Sequence, residues 1–312
     1  MPVRSRPTVR AVVLGDLILD VSARLARPLA PGSDAAATIR FHQGGSAANT
    51  ARQLARLGVA TTFIGAVGRD AWATALVRAL RADGVRVHVV RRPGGTARLV
   101  AVVTADGERS FLTDRGAADA LEAAAVRPSW LRAAAVLHLP AYALLARPLV
   151  DAAARAAGLV HAAGGRVSVD LASAAPLREA GPRAVAERLA GLAPDLLLGN
   201  LAEVAAMTGA TDGAALLELA PLVVVKAGPA GCRVLTRATG SAPGLDLLVR
   251  ARPREATDTT GAGDAFDAGF LAVWAAQPAD AAARPVDLAR AARAGHRAAH
   301  ALLGRPRPEL RL

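Results

Sequence analysis

Cysteine and lysine are nearly absent from this chain of 312 residues, which has one of each, Cys232 and Lys226. A single cysteine excludes an internal disulfide. No run of 18 uncharged apolar residues occurs, so the sequence predicts no helix that spans a membrane. The apolar run Ala11–Leu14 ends at Gly15-Asp16 and is too short and too polar in its surroundings for a signal peptide, so we expect a cytoplasmic protein without a membrane partner.

Aromatic residues are also scarce, at 3% of the chain, whereas 53% of the residues are hydrophobic. The core must therefore consist mainly of alanine, leucine and valine. The net charge of +12 would suit a nucleic-acid-binding protein. However, all but one of the 38 basic residues are arginines dispersed among alanines, without basic blocks. We attribute the charge to solvated helix faces and expect no nucleic-acid partner.

Several motifs are missing. The chain has no G-x-x-x-x-G-K-[ST] sequence and no G-x-G-x-x-G after its first predicted strand, which argues against P-loop enzymes and nicotinamide-dependent dehydrogenases. The histidines and the lone cysteine do not have the spacing of a metal site. His138, in a strand-like V-L-H-L run, is interpreted as a core residue or one at the edge of a pocket.

Short apolar runs alternate with longer segments of helical period, which predicts an α/β fold with a mainly parallel sheet. The predicted strands lie at 9–14, 62–67, 136–139, 166–171, 196–198 and 222–225. The predicted helices lie at 47–57, 72–83, 150–163, 183–192, 201–208, 214–219 and 266–276.

Two segments, 17–43 and 96–114, interrupt this alternation because they lack a long helical pattern. In the second, Ala105-Asp106-Gly107 separates two strand-like runs and suits a hairpin turn. We predict that the two segments form a small antiparallel sheet inserted into the larger domain. Ordinary surface hairpins are the alternative.

Residues 258–266, D-T-T-G-A-G-D-A-F, are the most informative segment. Small residues between two carboxylates, followed at once by a helical pattern, let backbone N–H groups converge at a helix N-terminus and hold an anion such as phosphate. Asp264 would then face the reacting group. The alternative is a glycine-rich turn with Asp264 as a helix cap.

Two more segments suit a polyol. Residues 44–51, G-G-S-A-A-N-T-A, open a predicted helix with small residues that allow close approach, and Asn49 can both donate and accept hydrogen bonds. Asp20 follows the first predicted strand, where ligands of open α/β sheets bind. The alternatives are close packing for the first segment and a turn or cap role for Asp20.

Polar groups also follow two later strands. Asn200 and Glu203 have the spacing of a capping box, and the alternative is that they organise Mg²⁺ waters and phosphate oxygens. Lys226 is followed by a turn containing Gly228 and Gly231, which suits a nucleotide phosphate. The alternative is a plain turn with an exposed lysine.

In this order and spacing, the five segments resemble the ribokinase-like carbohydrate kinases, the PfkB family. The resemblance covers about residues 9–306 and depends most on G-G-S-A-A-N-T-A and D-T-T-G-A-G-D-A-F. It implies a doubly wound α/β fold with helices on both faces of a mainly parallel sheet. It further implies one domain over 1–312, with a small β-sheet lid formed by 17–43 and 96–114.

The resemblance also implies an ATP-dependent sugar kinase and a role for each segment, with Asp264 as the general base. The other implied roles are the anion hole (Gly261, Ala262, Gly263), the sugar site (Asp20, Gly44, Gly45, Asn49), the nucleotide side (Asn200, Lys226, Gly228, Gly231), Mg²⁺ through water (Glu203) and a monovalent cation such as K⁺ (Asp258 and Thr260, with Ala299 and Gly304). The expected partners are ATP, Mg²⁺, a small sugar and a second copy of the chain bound through the lid.

Departures from the family pattern put ribose in doubt as the acceptor. Ser46 and Ile18 replace the lysine and asparagine of ribokinases proper, Lys226 stands where threonine is common, and Tyr142 near Pro140 stands in for a sugar-binding glutamate.

Two other functions are open at this point. A nucleoside kinase would need an aromatic shelf, for which Phe41, Phe111 and Tyr142 are the candidates, and a non-catalytic sugar or nucleotide sensor could share the scaffold. Three arginines in or next to the lid segments could receive an acidic or phosphorylated sugar: Arg98, Arg109 and Arg115. The alternative is that each is simply a solvated arginine.

Overall fold

Thirteen strands form two sheets in the computed structural model, which describes residues 9–104, 106, 108–238, 243–256, 258–278 and 284–312. The strands are β1 (Arg10–Leu14), β2 (Ile18–Leu25), β3 (Ala37–Gly44), β4 (Ala60–Val67), β5 (Arg86–Arg91), β6 (Arg98–Val103), β7 (Arg109–Asp114), β8 (Val136–Pro140), β9 (Arg166–Asp170), β10 (Leu196–Asn200), β11 (Leu222–Lys226), β12 (Cys232–Thr236) and β13 (Asp246–Val249).

Eight α-helices accompany the strands in the described residues. They are α1 (Ser46–Arg56), α2 (Ala71–Ala82), α3 (Leu149–Ala162), α4 (Ala174–Ala180), α5 (Pro182–Leu192), α6 (Leu201–Thr208), α7 (Ala262–Trp274) and α8 (Pro285–Leu303). None of the described helices is long and apolar enough to cross a membrane.

The large sheet has the order β13-β12-β11-β10-β9-β8-β1-β4-β5. All pairs from β5 to β11 are parallel, and β12 and β13 add an antiparallel edge. From β1 the chain first builds outward through β4 and β5, and later resumes at β8 on the other side of β1. The order therefore reverses between β1 and β8, and ligands of such sheets bind beyond the strand ends at that point.

Successive strand side chains point to opposite faces, which explains the continuous apolar runs of the central strands. In β1, Val13 packs on the face covered by α1, α2, α7 and α8. Its neighbours Val12 and Leu14 pack on the face covered by α3, α5 and α6. The predicted helices on both faces of a mainly parallel sheet are thus observed.

The small sheet has the order β3-β2-β6-β7 and comes from the two segments that interrupted the alternation. The prediction that it is antiparallel is wrong for its central pair, because β2 and β6 are parallel. β6 reaches β2 only after the chain has passed through β4, α2 and β5, so no tight turn dictates an antiparallel direction. β6 and β7, joined directly, are antiparallel as predicted.

Two helix predictions need correction. The segment predicted as a helix at 214–219 is a short 3₁₀ turn, Ala214–Glu218, because Gly213 at φ 77° and Pro221 leave too few residues for a stable α-helix. In contrast, α7 begins four residues before the predicted start, inside the glycine segment at Ala262. The strands β5, β12 and β13 were not predicted.

Candidate active site

A cavity of about 670 Å³ lies where the small sheet faces the strand ends next to the reversal point. We call it the transfer cavity. It is lined by Asp16 after β1, Asp170 at the end of β9, Lys226 at the end of β11 and residues of β2 and β6. All of the residues predicted for catalysis, sugar binding and nucleotide binding line this cavity: Asp20, Gly44, Gly45, Asn49, Asn200, Lys226, Gly228, Gly231, Gly261, Ala262, Gly263 and Asp264. Glu203 and Thr260 also line it, whereas Asp258 does not.

Gly45 brings α1 close to the end of β1. It precedes the helix at φ 98°, a conformation that favours glycine, and an added Cβ would lie 2.5 Å from the carbonyl oxygen of Asp16. The buried Asp16 side chain then accepts a hydrogen bond from the backbone nitrogen of Ala47 at 3.1 Å. The glycine pair of this segment therefore serves close packing of the helix start as well as lining the cavity.

Asp264 lies in the first turn of α7, and its side chain does not cap the helix. Gly261, at φ 79°, starts the helix, and Asp264 turns toward α1. One carboxylate oxygen accepts from the Ser46 hydroxyl at 2.7 Å, and the other accepts from the Asn49 amide at 2.9 Å. The cap interpretation of Asp264 is therefore wrong. The two most informative sequence segments meet at this carboxylate.

Burial raises the pKa of Asp264 to about 6. The hydrogen bonds from Ser46 and Asn49 oppose this shift because they favour the charged form, and the nearby charge of Asp170 adds to it. A carboxylate with a pKa just below neutrality is mostly ionised at pH 7 and can still accept a proton from an alcohol in a transition state.

Lys226 is not an exposed lysine. Its ammonium lies 2.9 Å from Asp170 and 3.0 Å from Asp267, and both carboxylates are buried. Although burial disfavours the charged ammonium, the two carboxylates raise the pKa of Lys226 above its ordinary value. Burial and the neighbouring Asp170 raise the pKa of Asp267. Lys226 thus ties β9 and β11 to α7 while facing the transfer cavity.

Asn200 and Glu203 form the predicted capping box at the start of α6. The Asn200 side chain accepts from the Glu203 backbone at 3.0 Å, and the Glu203 carboxylate accepts from the Asn200 backbone at 2.7 Å. Burial, with the charge of Asp170, raises the pKa of Glu203 to about 7. The capping interpretation is confirmed, and the pair still lines the cavity.

Asp20, on β2, has one carboxylate oxygen 2.6 Å from the guanidinium of Arg307 in the C-terminal tail. Its other oxygen is buried and has no hydrogen-bond partner among the residues that the structure describes. A buried carboxylate oxygen without a donor is costly unless a ligand supplies one. This oxygen therefore suits a hydroxyl donor in the cavity.

The three arginines in or next to the predicted lid segments are already bonded. Arg115 reaches Asp16 at 3.0 Å and Asp119 at 2.8 Å, with its guanidinium 5.0 Å from the centre of the Tyr142 ring. Arg109 pairs with Asp258 at 3.3 Å. Arg98 lies 3.9 Å from Asp70 and lines neither large cavity. Only Arg115 of the three lines the transfer cavity.

The residues predicted for a monovalent cation are also engaged. One oxygen of Asp258 accepts from the backbone and hydroxyl of Thr260, at 3.0 and 2.6 Å, and from Arg109. An added Cβ at Gly304 would overlap the guanidinium of Arg254, which donates to the carbonyl of His300 at 3.3 Å. Two guanidinium groups thus stand against the residues expected to bind K⁺.

With this geometry in place, comparison with known proteins identifies the family. The pfkB family carbohydrate kinase profile matches residues 9–309. The chain belongs to the pfkB carbohydrate kinase family. Its ribokinase-like fold and its class, a phosphotransferase with an alcohol acceptor, agree with the predictions made from the sequence.

The relatives and solved structures that resemble this chain are named for different acceptors. The chain is 36% identical over 274 residues to an ATP-dependent ribose-1-phosphate kinase of Halopiger xanaduensis, with 85% of each chain covered. It is 33% identical over 296 residues to a fructokinase of Klebsiella pneumoniae, with 91% of each covered. An adenosine kinase structure from Sinorhizobium meliloti superposes with a TM-score of 0.78 at 25% identity, covering 96% of both chains.

Four residues of this pfkB site were missed by sequence reasoning: Asp16, Asp170, Asp267 and Arg307. Asp16 and Asp170 follow or end strands, which is a signal that could have found them. Asp267 lies three residues after Asp264, on the same side of the helix. Arg307 gave no local signal, because only the packing of the tail brings it to Asp20.

Proposed function

We propose that this pfkB kinase transfers the γ-phosphoryl group of ATP to a hydroxyl of a small sugar, with Asp264 as the general base. The observation that carries the proposal is the Asp264 carboxylate, which faces the transfer cavity at the N-terminus of α7 and is held by Ser46 and Asn49. Burial raises its pKa to about 6, which suits a base working near neutral pH.

In the proposed step, Asp264 takes the proton of the acceptor hydroxyl. The hydroxyl oxygen forms a bond to the γ-phosphorus, the bond from that phosphorus to the bridging oxygen breaks, and ADP leaves with the bonding pair. Such transfers depend mainly on alignment and on stabilisation of charge. The N–H groups of Gly263 and Asp264 lie in the first turn of α7 and are available to the phosphoryl oxygens. The N–H of Ala262 donates to the Thr259 carbonyl at 3.1 Å, so we assign Ala262 a smaller part.

Mg²⁺ fits the acidic wall of the transfer cavity through water rather than directly. No cluster of three or more histidine, cysteine, aspartate or glutamate side chains is arranged to hold a metal in the described part of the chain. Both oxygens of Glu203 accept from Asn200, so Glu203 would bind the ion through water. Mg²⁺ usually keeps several waters and binds substrate phosphates, whose charge it neutralises. Lys226, Gly228 and Gly231 would lie on the nucleotide side.

The sugar would lie against Asp20, Gly44 and Gly45. The unpartnered oxygen of Asp20 supports this position, because a sugar hydroxyl can donate to it. Asn49 uses its amide nitrogen to hold Asp264, so its amide oxygen is the atom left for the sugar.

A nucleoside acceptor has less support. Phe41 packs against Trp72 with ring centres 4.8 Å apart, and Phe111 is 56% exposed on β7, so neither lines the transfer cavity. Tyr142 does line it, but Arg115 covers its ring. Of the three candidates, only Tyr142 could therefore meet a nucleobase in the transfer cavity, and Arg115 already lies over one face of its ring.

K⁺ does not fit the candidate cation residues as they stand. Arg109 pairs with Asp258, and the guanidinium of Arg254 lies against Gly304. We propose that these permanent cations take over the charge that K⁺ would supply, so that activity needs no monovalent ion.

The outer face of the small sheet supports the proposed homodimer. Ile39 and Leu112 are large apolar side chains with exposed fractions of 55% and 65%, and the strand register places both on the face opposite Asp20 and Leu99. A contiguous exposed apolar patch is typical of a protein interface. Cytoplasmic location and the lack of a nucleic-acid partner stay predictions.

An assay of ADP release tests the proposed reaction. Wild type is offered ATP and Mg²⁺ with sugars, sugar phosphates, sugar acids and nucleosides, and Asp264→Asn is the matched variant. We expect ADP release that depends on one sugar class and falls by about 10²–10⁴-fold in Asp264→Asn. Retained sugar binding by the variant would separate a lost base from a misfolded site. Near-normal turnover of the variant would disprove the role of Asp264, and ligand binding without ADP release in wild type would favour a sensor.

A further inference from the structure

A second cavity, of about 970 Å³, lies beside the transfer cavity, and we call it the basic cavity. Its walls are the end of β3, one side of α1, residues 254, 255, 258, 260 and 261, the end of α8 and the tail up to residue 308. Six of its nineteen lining residues are arginines: Arg40, Arg52, Arg56, Arg254, Arg305 and Arg307. It shares five lining residues with the transfer cavity: Asn49, Arg254, Thr260, Gly261 and Leu303.

The arginine content of this chain does not account for the basic cavity. Lysine and arginine together make up 38 of 312 residues, whereas arginine alone makes up six of these nineteen. Acidic residues contribute only Glu255 and Asp258 to the lining, and Asp258 is already bonded to Thr260 and Arg109. The cavity therefore concentrates positive charge.

The cations of the basic cavity are incompletely neutralised. Arg52 and Arg56 share one carboxylate, Asp83, at 2.8 and 2.7 Å. Arg40 and Arg305 have no carboxylate partner within the described ranges. Burial and the neighbouring Arg56 and Arg307 lower the pKa of Arg52 to about 10, a shift that a bound anion would oppose.

A buried donor without a partner lines the same cavity. Gln43 is 6% exposed, and its amide nitrogen is buried without a hydrogen-bond acceptor in the described residues. The Gln43 amide needs a hydrogen-bond acceptor, and the guanidinium groups of Arg40 and Arg305 in the same cavity need an anion. One bound anion with several oxygens would satisfy both needs.

We propose that the basic cavity binds a phosphate group, carried by a small phosphorylated metabolite, at a site separate from phosphoryl transfer. A guanidinium group can donate two parallel hydrogen bonds to the oxygens of a phosphate. The volume of the basic cavity is within the range of ordinary small-molecule sites. Arg307 links the two cavities, because it lines the basic cavity and bonds Asp20 of the sugar site at 2.6 Å. An anion that attracts Arg307 would release the bonded oxygen of Asp20 for a sugar hydroxyl.

Inorganic phosphate is the probe for the site. Its binding is measured by calorimetry against sodium chloride of equal ionic strength, with the transfer cavity filled by Mg²⁺ and a non-hydrolysable ATP analogue. Three proteins are compared. They are wild type, the double variant with Arg40→Gln and Arg305→Gln, and a charge-matched control, the double variant with Arg147→Gln and Arg183→Gln. The control arginines are 81% and 94% exposed and line neither cavity.

We expect wild type and the control to bind phosphate alike, and the Arg40 and Arg305 variant to bind at least about 10-fold more weakly. Equal binding by all three proteins, or no binding by wild type, would overturn the site. This readout does not depend on turnover, so it can fail or succeed independently of the proposed kinase activity.

The link to the sugar site rests on the proposed function and is tested separately. Phosphate is expected to lower the KM for the accepted sugar in wild type by about 5-fold or more, with a smaller change in kcat. In Arg307→Gln the effect of phosphate on KM should disappear. A wild-type KM that phosphate does not change would overturn the link.

Discussion

The transfer cavity and the basic cavity share a wall formed by Asn49, Arg254, Thr260, Gly261 and Leu303, yet their other charges are arranged differently. In the transfer cavity, Lys226 is bonded to the buried carboxylates of Asp170 and Asp267, and Arg115 is bonded to that of Asp16. In the basic cavity, arginines outnumber carboxylates and several have no acidic partner. The first arrangement holds reacting groups in fixed positions, and the second attracts an anion.

Among these variants, Lys226→Met should have the largest effect on stability, because it acts on the paired charges of the transfer cavity. The change leaves two buried carboxylates without their cation, and such losses cost about 3–5 kcal/mol of unfolding free energy. Denaturant unfolding at pH 7 measures the loss. Arg183→Gln, which removes an exposed charge, is the control. Adding Asp267→Asn to Lys226→Met should recover part of the stability, and no recovery would show that the ammonium matters for another reason.

Acid should remove the activity of the transfer cavity. Asp264 acts as a base only when ionised, and burial raises its pKa to about 6, so the working form is lost as pH falls through that value. We expect kcat/KM to fall about tenfold per pH unit below pH 6, because one proton blocks the base. Protonation of Glu203, with a pKa of about 7, would also lower the rate on the acid side of the pH profile. The Glu203→Gln variant separates this contribution from that of Asp264. A flat profile down to pH 5 would contradict the assignment of the base.

Ser46→Ala should have a smaller effect on the pH dependence of the transfer cavity. The Ser46 hydroxyl donates to the Asp264 carboxylate and favours its charged form, so its removal should move the acid limb to higher pH. The rate at pH 6 should fall by about 2- to 10-fold, the range expected for one hydrogen bond. Ser129→Ala, at an exposed serine, is the control. An unchanged limb with a lower rate would indicate misplacement of α1 instead.

Replacing K⁺ by choline at constant ionic strength should have the smallest effect. Because Arg109 and Arg254 carry permanent charge beside the candidate cation residues, kcat should change by less than about twofold. Arg254→Gln should make the enzyme more dependent on K⁺. A large loss of wild-type activity in choline would show that the boundary between the cavities binds a metal ion after all.

Leu112→Glu on the outer face of the small sheet tests the predicted dimer. A charge in a buried apolar interface should shift the chain to a monomer in light scattering. Arg24→Glu, at an exposed position of β2, is the matched control on the same sheet. A monomeric wild type would refute dimerisation through this sheet.

Local sequence patterns predicted some elements better than others. The central strands were predicted because burial on both faces leaves continuous apolar runs, as in β11. β5 and β13 were missed because they lie at or near the sheet edges and mix polar with apolar residues. The parallel pairing of β2 with β6 depends on the path of the intervening chain, which no local pattern records.

The sequence by itself indicated the reaction class and singled out the glycine-rich helix start with Asp264, because glycines at fixed spacing from a carboxylate form a local pattern. Only the tertiary structure decided which groups meet that carboxylate: Ser46 and Asn49 lie more than 200 residues away along the chain. The tertiary structure also buried Lys226 between Asp170 and Asp267, brought Arg307 to Asp20 and gathered six arginines around one cavity. Charges pair through space, and the pairing depends on the packing of segments that are distant in sequence.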